Sequence, residues 1–486
     1  MLAEVKKAYA EHKGIFILSL IFIATNAILM AFEIFWFTGL PFVLIFAYIA
    51  IRALDRFILF IVFLTPLSVP LEYYYPQLGF NLQLITEPLL ILVMLIFFYR
   101  IIHERQFDRH ILTHPVSWLI YLQLFWMFMT SVTSSMPLVS FKFLVSRMWF
   151  LVAFYFLAAA MFQKRSMMRW YLWVYLPSML VVVASAIIYL SQFGLFSHEM
   201  AYRAAHPFFR DHTSYGAIIA MLIPVIVALA SFKKYPVPLR ILAWIIFSIF
   251  CFALLLSYTR AAWISIFVIA GILLIVKLRI SWKLVGLGVF LTASVLYLYR
   301  TDIFLKLEQN QQDSSKDIAK HIESISNIRT DASNLERINR WNSAFRMFHE
   351  RPLVGWGPGT YMFQYAPFQA SREKTIISTN RGDWGNAHSE YIGPLAESGI
   401  PGLVIMIVLV IASIWLGFRV YYAAEPYSQE RIFSLALTLG LITYYIHGIL
   451  NNFLDTDKAS ALVWGYTAML VAMDIRQKKR NLPAAL

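Results

Sequence analysis

Apolar runs long enough to cross a bilayer recur along almost the whole chain, and they leave one fold class open. About fourteen can be placed, at approximately 14–32, 34–52, 54–70, 84–102, 115–134, 141–162, 170–192, 212–231, 238–257, 260–278, 281–299, 400–420, 430–450 and 458–474. Hydrocarbon offers the backbone no hydrogen-bond partners, so stretches of this length must satisfy their own amides as helices. The expectation is an all-α polytopic membrane protein with about 14 transmembrane helices and one large, partly helical loop. The third run is short and ends at Pro66 and Pro70, which leaves a re-entrant segment open. Three regions follow: 1–299 with the first eleven helices, 300–399 as the large loop, and 400–486 with the last three helices and a basic tail.

Lysine and arginine set the expected orientation. With the N-terminus inside, the inner segments are 6–13, 52–56, 100–109, 164–169, 233–240, 277–283, 419–431 and 476–480, and every one is basic. The opposite segments 71–81, 134–138 and 451–457 carry little or no positive charge. Both termini are then cytoplasmic and the large loop lies outside. The net charge of +14 reads as a topology signal whose partner is the anionic inner leaflet, with nucleic acid excluded as a partner. The first run has no small-x-small exit, so no cleavable signal peptide is expected. The single cysteine, Cys251, falls inside a span and permits no intramolecular disulfide.

Positive charge on the outer side has no topological reason, and it gathers in three places. One is the loop from Ala201 to His212, with Arg203 and Arg210. Another is the turn Ser257–Trp263, with Arg260. The third is the segment Leu335–Trp341, with Arg337 and Arg340. Guanidinium groups suit phosphate oxygens, and several converging at a membrane surface would hold a diphosphate. The plain alternatives are that Arg260 snorkels to the interface beside Tyr258 and Trp263, and that the others are solvated charges. Arg337 and Arg340 fall on an expected helix reaching about His349, with Leu335, Ile338, Phe345 and Phe348 as its apolar side. Pro352 ends that helix and opens a stretch with Gly355, Gly357 and Gly359, either a tight turn or an anion-binding nest. His388 follows at the lip of the next apolar run. A neutral imidazole there can accept a hydroxyl proton, and Glu390 either polarises it or favours the helix start. No dense acidic or histidine cluster in the outer loops suggests a metal site, and no cofactor is expected.

Three stretches together strongly resemble the O-antigen ligase and O-antigen polymerase-like superfamily. They are Arg337-x-x-Arg340-Trp341, the glycine run from Pro352 to Tyr361, and Ala387-His388-x-x-Tyr391 continuing through Leu395-Ala396-Glu397-x-Gly399 to Gly402-Leu403. Tyr258-Thr259-Arg260-Ala261-Ala262-Trp263 is similar to that family's arginine turn, and Arg203 with Phe208 and Asp211 to its arginine loop. The resemblance covers roughly 200–450. It implies a metal-independent, inverting glycosyltransferase in the bacterial inner membrane, working on the periplasmic face. Such an enzyme moves a glycan from undecaprenyl diphosphate to a hydroxyl of lipid A-core, or of a growing glycan. Carried over, His388 is the general base, Arg203 and Arg260 hold the diphosphate, and Arg337 and Arg340 line the site. His206-Pro207-Phe208-Phe209-Arg210 departs from the family pattern, so Arg210 shares or takes the role of Arg203. Ser389 stands where asparagine is common, and the first pair of spans, which carries Glu33, reads as an added hairpin. Alternatives are a polymerase, a protein O-oligosaccharyltransferase and, from another class, a lipid-linked glycan flippase. Transport is disfavoured because the expected span interiors are almost uncharged.

Overall fold

The computed structural model describes residues 13–74, 83–103, 107–299, 335–375, 378 and 385–481. The expected polar segment 306–326 lies outside them. The chain forms two compact units, Met1–Phe57 and Ile58–Leu486. The first holds α1 (Lys13–Ala31) and α2 (Leu40–Arg52), joined through the 3-10 turn Trp36–Gly39. Their apolar side chains are largely exposed, as befits helices whose solvent is hydrocarbon. Glu33 sits exposed in the connection between them.

The chain continues through α3 (Leu54–Leu64), α4 (Thr86–His103), α5 (Pro115–Val132), α6 (Pro137–Leu151), α7 (Arg165–Phe193) and α8 (His212–Ser231). Then follow α9 (Val237–Leu256), α10 (Arg260–Lys277), α11 (Trp282–Leu298), α12 over 335–350, α13 (Ile392–Ala423), α14 (Gln429–His447) and α15 (Asp457–Asn481). Every apolar run read from the sequence overlaps one of these helices. Among the described residues nine are long and apolar enough to cross a membrane. The fold is all-α and polytopic; its only ladder pairs Val69 with Leu84 and Pro70 with Gln83 among the described residues. The third run stops short because Pro66 turns its end into a 3-10 segment, Thr65–Leu67.

Helix α15 is central: residues 457–475 are all buried. A helix buried all round needs small residues for close approach, and Gly465 supplies one, since a Cβ there would meet the Tyr171 hydroxyl at 2.7 Å. That hydroxyl donates to the Ala461 carbonyl at 2.7 Å. Charged residues pin α15 at both ends. Lys458 Nζ donates to Ser68 Oγ at 2.6 Å, while Asp457 Oδ2 accepts from Ser68 and from Thr86 at 2.7 Å. At the far end Asp474 takes His114 at 3.2 Å, Lys478 at 3.0 Å and Arg419. Burial of these groups is tolerated because each charge is paired and hydrogen-bonded.

Helix α12 corrects one expectation. Its buried face is Glu336, Asn339, Arg340, Ser343, Ala344 and Met347, whereas Phe345, assigned to the apolar side, is exposed. The polar side turns inward because its groups satisfy one another. Arg340 Nε donates to Glu336 Oε1 at 2.8 Å, and Asn339 Nδ2 to Gln369 Oε1 at 2.8 Å. Ala344 and Met347 then join Tyr361, Tyr365, Ala387 and Ala396 in a small core of the loop's own. Arg337 and Arg340 are therefore not solvated surface charges.

Candidate active site

The site is built on a broken helix. Within α13, Gly399 takes φ 68° and ψ −168°, and Pro401 follows. Proline has no N–H and its ring excludes the carbonyl four residues back, so the helix cannot pass through this point regularly. Backbone groups that this frees find partners. Ala396 and Glu397 carbonyls accept from the amides of Trp356 (3.1 Å) and Gly357 (2.8 Å), and Ser398 O accepts from Trp126 Nε1 (2.8 Å). The Ile400 amide donates to Pro352 O at 2.9 Å. The glycine stretch is the plug for this break.

Its glycines are required by geometry. Gly355, Gly357 and Gly359 have φ of 66°, 111° and 74°. A Cβ on each would strike, respectively, the Glu397 backbone, Ser134 and Phe143. Both readings of the segment hold in part. It is a tight turn, and it is a nest whose acceptor is internal: the amides of Gly359 and Tyr361 donate to the Glu397 carboxyl group, the latter at 3.0 Å. Replacing Glu397 by Gln turns one of its two oxygens into an N–H donor. We expect Glu397→Gln to destabilise the solubilised protein by about 1–3 kcal/mol, read as a lowered thermal midpoint.

His388 stands one turn before α13. Its φ is 46°, a left-handed conformation rare outside glycine, and its amide donates to Asn386 Oδ1 at 3.0 Å. The conformation is held from both sides. Ser389 Oγ accepts the amides of Tyr391 (3.2 Å) and Ile392 (3.3 Å), and the Glu390 amide donates to Gly448 O at 2.8 Å. His388 keeps a partly exposed edge. Burial, then the positive charges of Arg340 and Arg337, drive its pKa down to about 3, with Asp211 pulling the other way. The imidazole is neutral at physiological pH.

Glu390 corrects the expected pairing. Its Oε1 accepts from Tyr444 OH (2.5 Å) and from the amides of Phe453 and Leu454 (2.8 Å each), and none of these bonds goes to His388. A buried carboxylate needs such donors, and the 444–454 segment supplies them. Glu390 thus ties the His388 strand to the end of α14.

Arg340 is fixed by Glu336 and by the Tyr365 ring, 4.6 Å below its guanidinium, and it packs against Gly385, where a Cβ would overlap Nη1. Arg337 is held near Asp211 and Tyr202, and burial lowers its pKa. Asp211 caps α8 by accepting the Ser214 amide at 2.8 Å, so the start of that helix faces the group around His388. Arg260 is exposed at the first turn of α10, where its charge acts on His198. The turn before it is strained at Tyr258, φ 49°, and Thr259 Oγ1 fastens it to His212 O at 2.9 Å. Arg203 and Arg210 are exposed on the loop between them. Among the described residues no side-chain hydrogen bond or ion pair joins Arg203 to His388 or Arg337.

Sequence reasoning passed over His447, Asp455 and Arg147. His447 is buried at the end of α14, bonded to Asn451 at 3.1 Å. Arg147 was legible as a charge inside an apolar run. Among the described residues no three His, Cys, Asp or Glu side chains come together as a metal site.

A broken helix whose gap is plugged by a glycine loop, beside a strained histidine and inward-facing arginines, defines a polytopic membrane protein with a charged site at one face. Residues 245–407 match the family described as O-Antigen ligase, which supports placing the chain with the O-antigen ligase and polymerase-like proteins. The match takes in Arg260, Arg337, Arg340, His388 and the glycine loop. No curated protein matches the chain.

Proposed function

We propose that this protein is an inverting membrane glycosyltransferase that moves a glycan from undecaprenyl diphosphate to an acceptor hydroxyl on the periplasmic face of the inner membrane, with lipid A-core as acceptor. The observation that carries the reading is the neutral, conformationally strained His388 beside Arg337 and Arg340, within the matched O-antigen ligase segment.

In this reading the donor's diphosphate lies among Arg337, Arg340 and Arg260, with Arg203 or Arg210 closing over it from the loop. Fixed guanidinium donors stabilise the charge that develops as the glycosyl–phosphate bond breaks. His388 takes the proton of the attacking hydroxyl, and attack opposite the leaving group inverts the anomeric carbon. The donor also tunes the base. A free imidazole with pKa about 3 is a weak proton acceptor, but a bound diphosphate offsets the two arginines and raises that value toward the working pH. Glu390 acts through position, holding the strand that presents His388.

A corollary concerns pH. The acid limb of kcat/KM, which reports the free enzyme, lies well below the ordinary histidine value of about 6.5. The acid limb of kcat, which reports the loaded enzyme, lies at higher pH. Coincident limbs near 6.5 would remove the electrostatic coupling.

The test of function is a transfer assay with purified protein, an undecaprenyl-diphosphate glycan, and lipid A-core or a second copy of the donor as acceptor. Glycan on lipid A-core supports ligation, and a lengthened lipid-linked glycan makes the protein a polymerase. No product with either sinks the proposal as stated and returns a protein acceptor or transport to first place.

A further inference from the structure

Beside the His388 strand lies a cavity of ≈ 70 Å³ that the proposed chemistry does not use. Ser389 and Glu390, which directly follow His388, form part of its wall with Pro394, and Pro358 of the glycine plug forms another. At roughly 10–15 Å³ per water centre and about 30 Å³ of liquid per water, the space matches the bulk of one sugar ring. It is not an apolar void. Trp126 and Phe143 line it together with Arg147, Asp455, Gln123 and Asn452.

Two of the polar groups hold acceptors in want of hydrogen. Gln123 Oε1 and Asn452 Oδ1 are buried and have no hydrogen-bond partner among the described residues. Asp455 binds Arg147 Nη2 through Oδ1 at 2.5 Å, yet more than a third of its side chain stays accessible. The one cation of the wall, Arg147, is already spent on Asp455 and on Leu454 O at 3.3 Å. An anion would face the carboxyl groups of Glu390, Glu397 and Asp455, and an acyl chain would strand them. A bound cation would compete with the guanidinium already on Asp455. What fits is a neutral ligand rich in hydroxyl donors with a flat C–H face for Trp126 or Phe143.

We propose that this cavity is a subsite for one neutral hexopyranose ring of a glycan substrate. The proposal rests on the glycosyl-transfer reading for its purpose, but its chemistry comes from the cavity wall. The ring belongs to the donor or to the acceptor, and the kinetics distinguish them.

The test uses Gln123→Met and Asn452→Leu, near-isosteric changes that delete the two unpartnered acceptors. If those atoms merely lack partners, removing them is neutral or stabilising to the fold. If they receive sugar hydroxyls, each change weakens binding about tenfold. Full-length protein in lipid nanodiscs is titrated with D-glucose, D-galactose and N-acetylglucosamine, and the thermal midpoint is followed. At least one sugar raises the midpoint of the wild type, and each variant needs about tenfold more of it for the same rise. In the transfer assay the same variants raise one KM, that of the donor or that of the acceptor, and so name the substrate whose ring is held.

Sugars that leave the wild-type midpoint unmoved, or move the variants equally, overturn the subsite. Transfer that proceeds with both KM values unchanged in the variants also overturns it and leaves the glycosyltransferase reading standing. Sugar binding lost in the variants, in a protein that transfers nothing, keeps the subsite and discards that reading.

Discussion

His388→Ala abolishes transfer while the protein stays folded in the membrane. The expected loss is on the order of 10²–10⁴ in kcat, the usual contribution of a positioned general base. Folding should survive because, among the described residues, no side-chain hydrogen bond of His388 anchors the loop: Ser389, Glu390 and Tyr391 do the anchoring, through Gly448, Tyr444 and Tyr445. The measurement is glycan transfer by purified variant and wild type, with thermal unfolding beside it. An active His388→Ala enzyme would remove the base from the mechanism. Lost activity together with a collapsed midpoint would make the residue structural.

The largest stability effect falls on the plug. Gly355→Ala forces a Cβ into the Glu397 backbone at a residue with φ 66°. The left-handed conformation costs about 1–2 kcal/mol for a non-glycine residue and the overlap about 1–3 more, so a loss on the order of 3 kcal/mol is expected. Since Trp356 and Gly357 next to it satisfy the carbonyls at the break in α13, the damage reaches Glu397 and the base of the His388 strand. Activity should fall with the thermal midpoint. An unchanged midpoint would mean that the loop and the broken helix yield to each other at little cost.

The two variants probe different layers of one site, and the layers were unequally legible. Hydropathy carried the fold because the bilayer imposes a rule on composition: wherever about 20 apolar residues run together, only a helix satisfies the backbone. Each such run overlaps a helix, and the site's address at the lip of α13 followed from where the polar loop ends. His388, Arg260, Arg337 and Arg340 stood out by type and motif, and they lie within residues 245–407, which match the O-Antigen ligase family.

What the chain alone did not disclose depends on partners far apart in sequence. Glu390 looked like a companion of His388 because it is two residues away, but a carboxylate goes where donors are, and those lie at 444, 453 and 454. Helix α12 turned its polar side inward because Glu336, Asn339 and Arg340 neutralise and bond one another, a gain that periodicity of apolar residues does not register. The glycine stretch left turn and nest open, and Glu397, some forty residues on, decided that both apply. The sequence by itself determined the helices, the loop that carries the charge and the residue types of the site. The tertiary structure decided which charges meet, because burial and long-range hydrogen bonds assign each group its partner.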